Sequence, residues 1–99
     1  METLTAEQRK LIRNVLNCID ADLEDAPTKP RGWDRAKYRN TFKATYQKLG
    51  TSLPEFDEDE CKFLRTMINA YIKHYSDLFD DPIPTEEAET LREAYSILS

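Results

Sequence analysis

Four consecutive acids, Asp57, Glu58, Asp59 and Glu60, stand directly before an apolar run that carries the chain's only histidine, His74. With the two thiols Cys18 and Cys61, these are the residues whose types could do chemistry. A carboxylate cluster can hold a hard cation, steer a basic partner, or cap a helix. A histidine beside a serine or cysteine can serve as the base that activates a nucleophile.

Spacing decides among these. A calcium loop of the EF-hand kind alternates oxygen ligands around a glycine and closes with a glutamate at its twelfth position. The run "DEDECKFL" has neither the alternation nor the glycine. A structural zinc site wants four Cys or His ligands at short spacings, and one histidine with two cysteines 43 positions apart does not supply them. The paired Glu-x-x-His motifs of di-iron bundles are absent. The two glycines, Gly32 and Gly50, stand alone, so there is no phosphate-cradling loop. His74 falls on an apolar helical arc beside Phe63, Met67 and Ala70, which predicts a residue at the rim of the core with one hydrogen bond. The two cysteines read as small core hydrophobes and not as a disulfide. No catalytic residue, metal or cofactor is expected, and the chain reads as non-enzymatic.

The acids themselves have a local explanation. Asp57 and Glu60 have the spacing of a capping box, and Phe56 and Cys61 stand where a hydrophobic staple would. Carboxylates in a first turn also meet the positive end of the helix dipole.

The elements that position these groups follow from periodicity. A first helix is predicted from Leu4 to Glu24, with Thr5 and Gln8 at capping-box spacing. Its stripe is Leu11, Ile12, Val15, Leu16, Ile19 and Leu23, with Cys18 at the edge. "EDAPTKPRG" ends it, because two prolines and a glycine cannot continue a helix. A second helix runs from Asp34, a plausible N-cap, to Leu49, with Gly50 as its stop. Tyr38, Phe42 and Tyr46 recur on it at steps of four, and Trp33 precedes the cap. A third helix spans Asp57 to Phe79, with an apolar arc of about 200°, twice the roughly 100° of an ordinary surface helix. So wide an arc must be packed on several sides, which places this helix at the centre. "DDPIP" breaks it. A fourth helix is predicted with Thr85 as its cap and Ala88, Leu91, Ala94, Tyr95 and Leu98 as its stripe, leaving Ile97 off that face. The predicted fold is therefore all-α, a compact four-helix bundle-like domain over residues 1–99 with a long central third helix.

Charge bears on partners. Residues 1–27 carry a net −3, residues 28–50 a net +6 and residues 51–99 a net −8, within a total of −5. An acidic chain with one basic belt admits two docking faces. On the acidic side the candidates are Asp57, Glu58 and Asp59. They fit a small acidic regulatory module, an inhibitor included, that docks on a basic surface of a nucleic-acid-handling protein. Further acids of the same kind are Asp20, Asp22, Glu24 and Asp25, then Asp77, Asp80 and Asp81, then Glu86, Glu87, Glu89 and Glu93. On the basic side, Trp33, Arg35 and Arg39 lie within the belt of residues 29–48. They would serve the alternative, direct nucleic-acid binding, with Lys and Arg on phosphates and Trp33 or Tyr38 stacked on a base. A third alternative is a homodimer that covers the wide arc of the third helix. No apolar run reaches the roughly 20 residues that span a bilayer. "METLTAEQRK" has no basic-then-apolar signal pattern, so no membrane partner and a cytoplasmic location are expected.

Overall fold

Four helices form where the periodicity places them: α1 (Ala6–Ala21), α2 (Arg35–Leu49), α3 (Glu58–Phe79) and α4 (Thr85–Leu98). The computed structural model describes residues 3–21, 30–52 and 54–99. The expected end of the first helix, with Leu23 in its stripe and the acids Asp22, Glu24 and Asp25, lies outside the described residues, as do Lys29 and the side chain of Asp20.

The helix starts show how local chemistry sets the boundaries. At α1 the Thr5 amide donates to Gln8 Oε1 at 2.9 Å, and the Gln8 amide donates to Thr5 Oγ1 at 3.1 Å. That is the reciprocal pairing expected of a capping box. At α2 the Lys37 amide donates to Asp34 Oδ1 at 2.7 Å. At α3 the box closes between Asp57 and Glu60 at 2.8 and 3.0 Å.

The start of α4 differs from expectation. Thr85 does not cap it; Pro84 occupies the N-cap position and no side chain bonds to the first turn. A proline is pre-set near the backbone torsion the helix entry needs, so the chain enters the helix by conformational restriction instead of by a hydrogen bond.

Helix ends are set differently again. Gly50 stops α2, but not through the left-handed conformation common at helix ends: its φ is −82°. A Cβ there would sit 3.3 Å from the Gln47 carbonyl and 3.4 Å from the Arg13 guanidinium, so close approach accounts for the glycine. α3 ends on Asp80, which does take the left-handed conformation at φ 57°. Aspartate is among the few non-glycine residues that tolerate it.

The packing has an inner pair and two flanks. α1 and α3 touch each other, and each touches both α2 and α4, whereas α2 and α4 do not meet among the described residues. α3 is thus central, and α1 shares that position. The core joins Ile12, Val15 and Leu16 of α1 with Phe63, Leu64, Met67 and Ile68 of α3, all fully buried, and with Leu91 and Ala94 of α4. Each large side chain so buried contributes about 1.5–3 kcal/mol relative to exposure. Leu49 closes the core from α2, and Leu98 closes it from α4. The radius of gyration, 12.8 Å, is that of a tightly packed chain of this length, about 13 Å.

Candidate protein-docking surface

The acidic cluster at the start of α3 is largely consumed by the fold. Asp57 is the cap. Glu60 is buried, and its Oε1 accepts both from the Asp57 amide and from Lys48 Nζ, the latter at 2.5 Å. Asp59 pairs with Lys37 at 3.2 Å. Glu58 alone of the four has no ion pair or side-chain hydrogen bond among the described residues. These pairs join the acidic cluster to the basic belt, so each neutralises part of the other's field.

The belt has corresponding internal engagements. Trp33, a candidate for base stacking, is 7% exposed and stacks on Phe63 with ring centroids 6.1 Å apart. This corrects its placement on a docking surface. A hydrogen bond from the Trp33 amide to the Pro30 carbonyl, with Gly32 at φ 88°, closes a turn that folds the indole under α2. Lys37 Nζ lies 4.6 Å from the same indole. Tyr38 is buried too and meets Phe63 edge-on. Tyr46 has Arg13 over its ring at 4.3 Å and Phe42 stacked at 6.2 Å. Arg35 and Arg39 are exposed, so the structure separates them from Trp33 in environment although they are neighbours in sequence.

His74 also departs from expectation. Its side chain is half exposed and lies 3.7 Å from Asp77, one helical turn on. It is a surface residue, not one at the core rim. Tyr71 is the last buried residue of α3, and beyond it Ile72 and Tyr75 are only half buried. Cys18 and Cys61 are half-buried thiols packed against the core and not joined to each other. Burial pushes the Cys61 thiol up from its usual range, which lowers the thiolate fraction a nucleophile needs. Ile97, off the expected face of α4, packs partly against the core.

The outstanding surface is the corner between α3 and α4. Leu78 and Phe79 are the large apolar residues most open to water among those described, at 36% and 44% exposure. The Phe79 ring is held from behind by Tyr75, centroids 4.6 Å apart, and edge-on by Tyr71 at 6.3 Å. Tyr71 is anchored in turn: its hydroxyl donates to Glu87 Oε1 at 2.7 Å. Burial and that carboxylate hold the Tyr71 hydroxyl well above the usual tyrosine range, so it stays protonated and keeps donating. The exposed acids Asp77, Asp80 and Asp81 flank the two apolar residues in the chain. Residues 75–91 contain six acids and no Lys or Arg. That count was available in the sequence, whereas the exposure of Leu78 and Phe79 was not, because both continue the apolar arc of the helix.

The chain matches no protein-family model, no curated protein and no solved structure. No helix among the described residues is long and apolar enough to cross a membrane.

Proposed function

We propose that this protein is a small non-enzymatic binding module that docks on a basic surface of another protein through the α3–α4 corner. The observation that carries this reading is the adjacent exposed pair Leu78 and Phe79, with the exposed acids Asp77, Asp80 and Asp81 directly beside them in the chain. Aromatic side chains immobilised before binding lose little entropy on docking and make effective anchors. Acids beside the anchor accelerate encounter with a cationic partner and disfavour acidic ones. Nucleic-acid-handling proteins are the natural cationic class, and an acidic helical module seated on their phosphate-binding groove would inhibit them.

Support shifts the working surface away from Asp57, Glu58 and Asp59 of the α3 start. There, capping and the pairs with Lys37 and Lys48 account for most of the charge.

The test is capture from the native host with the purified protein and with a Leu78→Ser/Phe79→Ser variant that keeps the wild-type circular dichroism and is folded at the assay temperature. The wild type is expected to retain a basic protein that the variant loses, and rising salt is expected to weaken the capture. Retention of the same partner by the folded variant would move the site elsewhere. Tight binding of an oligonucleotide, weakened steeply by salt and abolished by Arg35→Glu/Arg39→Glu, would instead establish the basic belt as the working face.

A further inference from the structure

A second surface, chemically opposite to the corner, lies in the open furrow between α3 and α4. It has a volume of about 580 Å³ and is lined by Ile68, Asn69, Ile72 and Lys73 of α3 and by Arg92, Tyr95 and Ser96 of α4. The furrow exists because α2 lies on the other flank of the inner pair and never reaches α4. The part of the apolar arc of α3 that faces α4 is therefore covered by a single neighbouring helix. Ile72 and Tyr95 remain half exposed along it.

Charge distinguishes this furrow from the neighbouring α3–α4 corner. Both charged side chains lining it, Lys73 and Arg92, are cationic, although the chain carries a net charge of −5. Both are exposed, and neither forms an ion pair or a side-chain hydrogen bond among the described residues. Two lysines of the basic belt, Lys37 and Lys48, are paired with Asp59 and Glu60, while Arg35 and Arg39 there are exposed as Lys73 and Arg92 are. Asn69 and Ser96 add neutral polar groups.

The shape excludes some occupants. A furrow this open does not enclose a small molecule as a ligand pocket does, since such pockets bury most of the ligand's surface. A trough between two antiparallel helices, apolar along its floor and cationic at its edges, fits an elongated occupant with one apolar face and flanking carboxylates. We infer that this furrow docks an acidic amphipathic helix of another protein, its apolar face on Ile72 and Tyr95 and its carboxylates on Lys73 and Arg92. The furrow's lining shares no residue with the α3–α4 corner.

The experiment is selection of a displayed library of helical peptides, randomised on one face, against the wild-type protein. Each enriched peptide is then measured by fluorescence anisotropy on wild type, Lys73→Glu/Arg92→Glu and Leu78→Ser/Phe79→Ser. The library should yield peptides with apolar residues at i, i+3, i+4 and i+7 flanked by Asp or Glu. The furrow variant should weaken them about tenfold or more, as two exposed ion pairs turned to repulsion would. The corner variant should leave them unchanged. Because Lys73 and Arg92 are exposed, the furrow variant should keep the wild-type circular dichroism and melting temperature. Enrichment of neutral or basic peptides, affinity indifferent to the furrow variant, or no enrichment at all would overturn the inference. So would a dimer in light scattering that the furrow variant converts to a monomer, since a second copy of the chain would then be the occupant.

Discussion

Trp33 shows what a single backbone position decides. From its neighbours, Arg31, Asp34 and Arg35, it reads as an aromatic in a charged segment and therefore as a stacking platform. The structure buries it because Gly32 adopts φ 88° and the turn from Pro30 returns the indole onto Phe63. No heavy atom stands within 4 Å of where a Cβ on Gly32 would lie, so substitution there tests torsion alone. Gly32→Ala is expected to destabilise the fold by about 1 kcal/mol, as left-handed strain of about 1–2 kcal/mol is partly offset by the reduced freedom of the unfolded chain. Urea titration followed by the fluorescence of Trp33, the chain's only tryptophan, reads both the midpoint and the burial of the indole. An unchanged midpoint would mean that the turn is not what holds the ring in place. His74 is the converse case. Its position on the helical wheel placed it near the apolar arc, but the wheel carries no information on how far the neighbouring helices extend. Exposure beyond Tyr71 depends on contacts between elements distant in sequence, which is a tertiary fact.

Helix starts were more legible than helix surroundings, because a cap is a contact between residues three apart and needs no partner from elsewhere. The boxes at Thr5/Gln8 and Asp57/Glu60 form as their spacing predicts. Thr85 was misplaced by one residue, since the preference of threonine for an N-cap does not register that Pro84 already supplies the torsion. The two helix starts should therefore respond differently to the same chemical change. Asp57→Ala removes a side chain that accepts from the Glu60 amide, and it leaves Glu60 with one fewer tie to the helix start. It is expected to cost about 1 kcal/mol, within the usual 0.5–2 kcal/mol for a lost cap. Thr85→Ala removes no cap bond and should stay within about 0.5 kcal/mol of wild type. Denaturant midpoints of the two variants, measured together, check the contrast. Equal losses would show that the hydroxyl of Thr85 serves the helix start after all. The stripes of α1, α3 and α4 were legible for the same local reason. Thr45 was not: its side chain is buried in α2, satisfied by the Thr41 and Phe42 carbonyls, and nothing polar in a stripe announces that.

At the scale of the molecule, the separation of charge from apolar anchorage makes the proposed docking divisible into two measurable parts. Asp80 and Asp81 lie at the α3–α4 corner, are exposed, and form no ion pair among the described residues. Their contribution is to the field that a partner meets before contact, which is screened beyond about 8–10 Å at physiological salt. Asp80→Asn/Asp81→Asn removes that field while preserving the backbone, because asparagine tolerates the left-handed conformation that Asp80 adopts. With a captured basic partner in hand, this variant should associate more slowly by several-fold at low salt and show a flatter salt dependence, with a dissociation rate close to wild type. Leu78→Ser/Phe79→Ser should do the reverse, since desolvated anchors act after encounter: dissociation quickens by at least about tenfold, the loss of one modest hot spot, while association changes little. The asparagine variant should melt near the wild-type temperature, because Asp80 and Asp81 are exposed, whereas the serine variant should melt somewhat lower, because Phe79 packs on Tyr75 and Tyr71. Stopped-flow or surface-plasmon kinetics at two ionic strengths separates the parts. If the asparagine variant altered dissociation alone, the acids would be contacts within the interface and not a steering field. If the serine variant altered association alone, the exposed Phe79 would not be the anchor, and the acids beside it would flank a surface that the partner never covers.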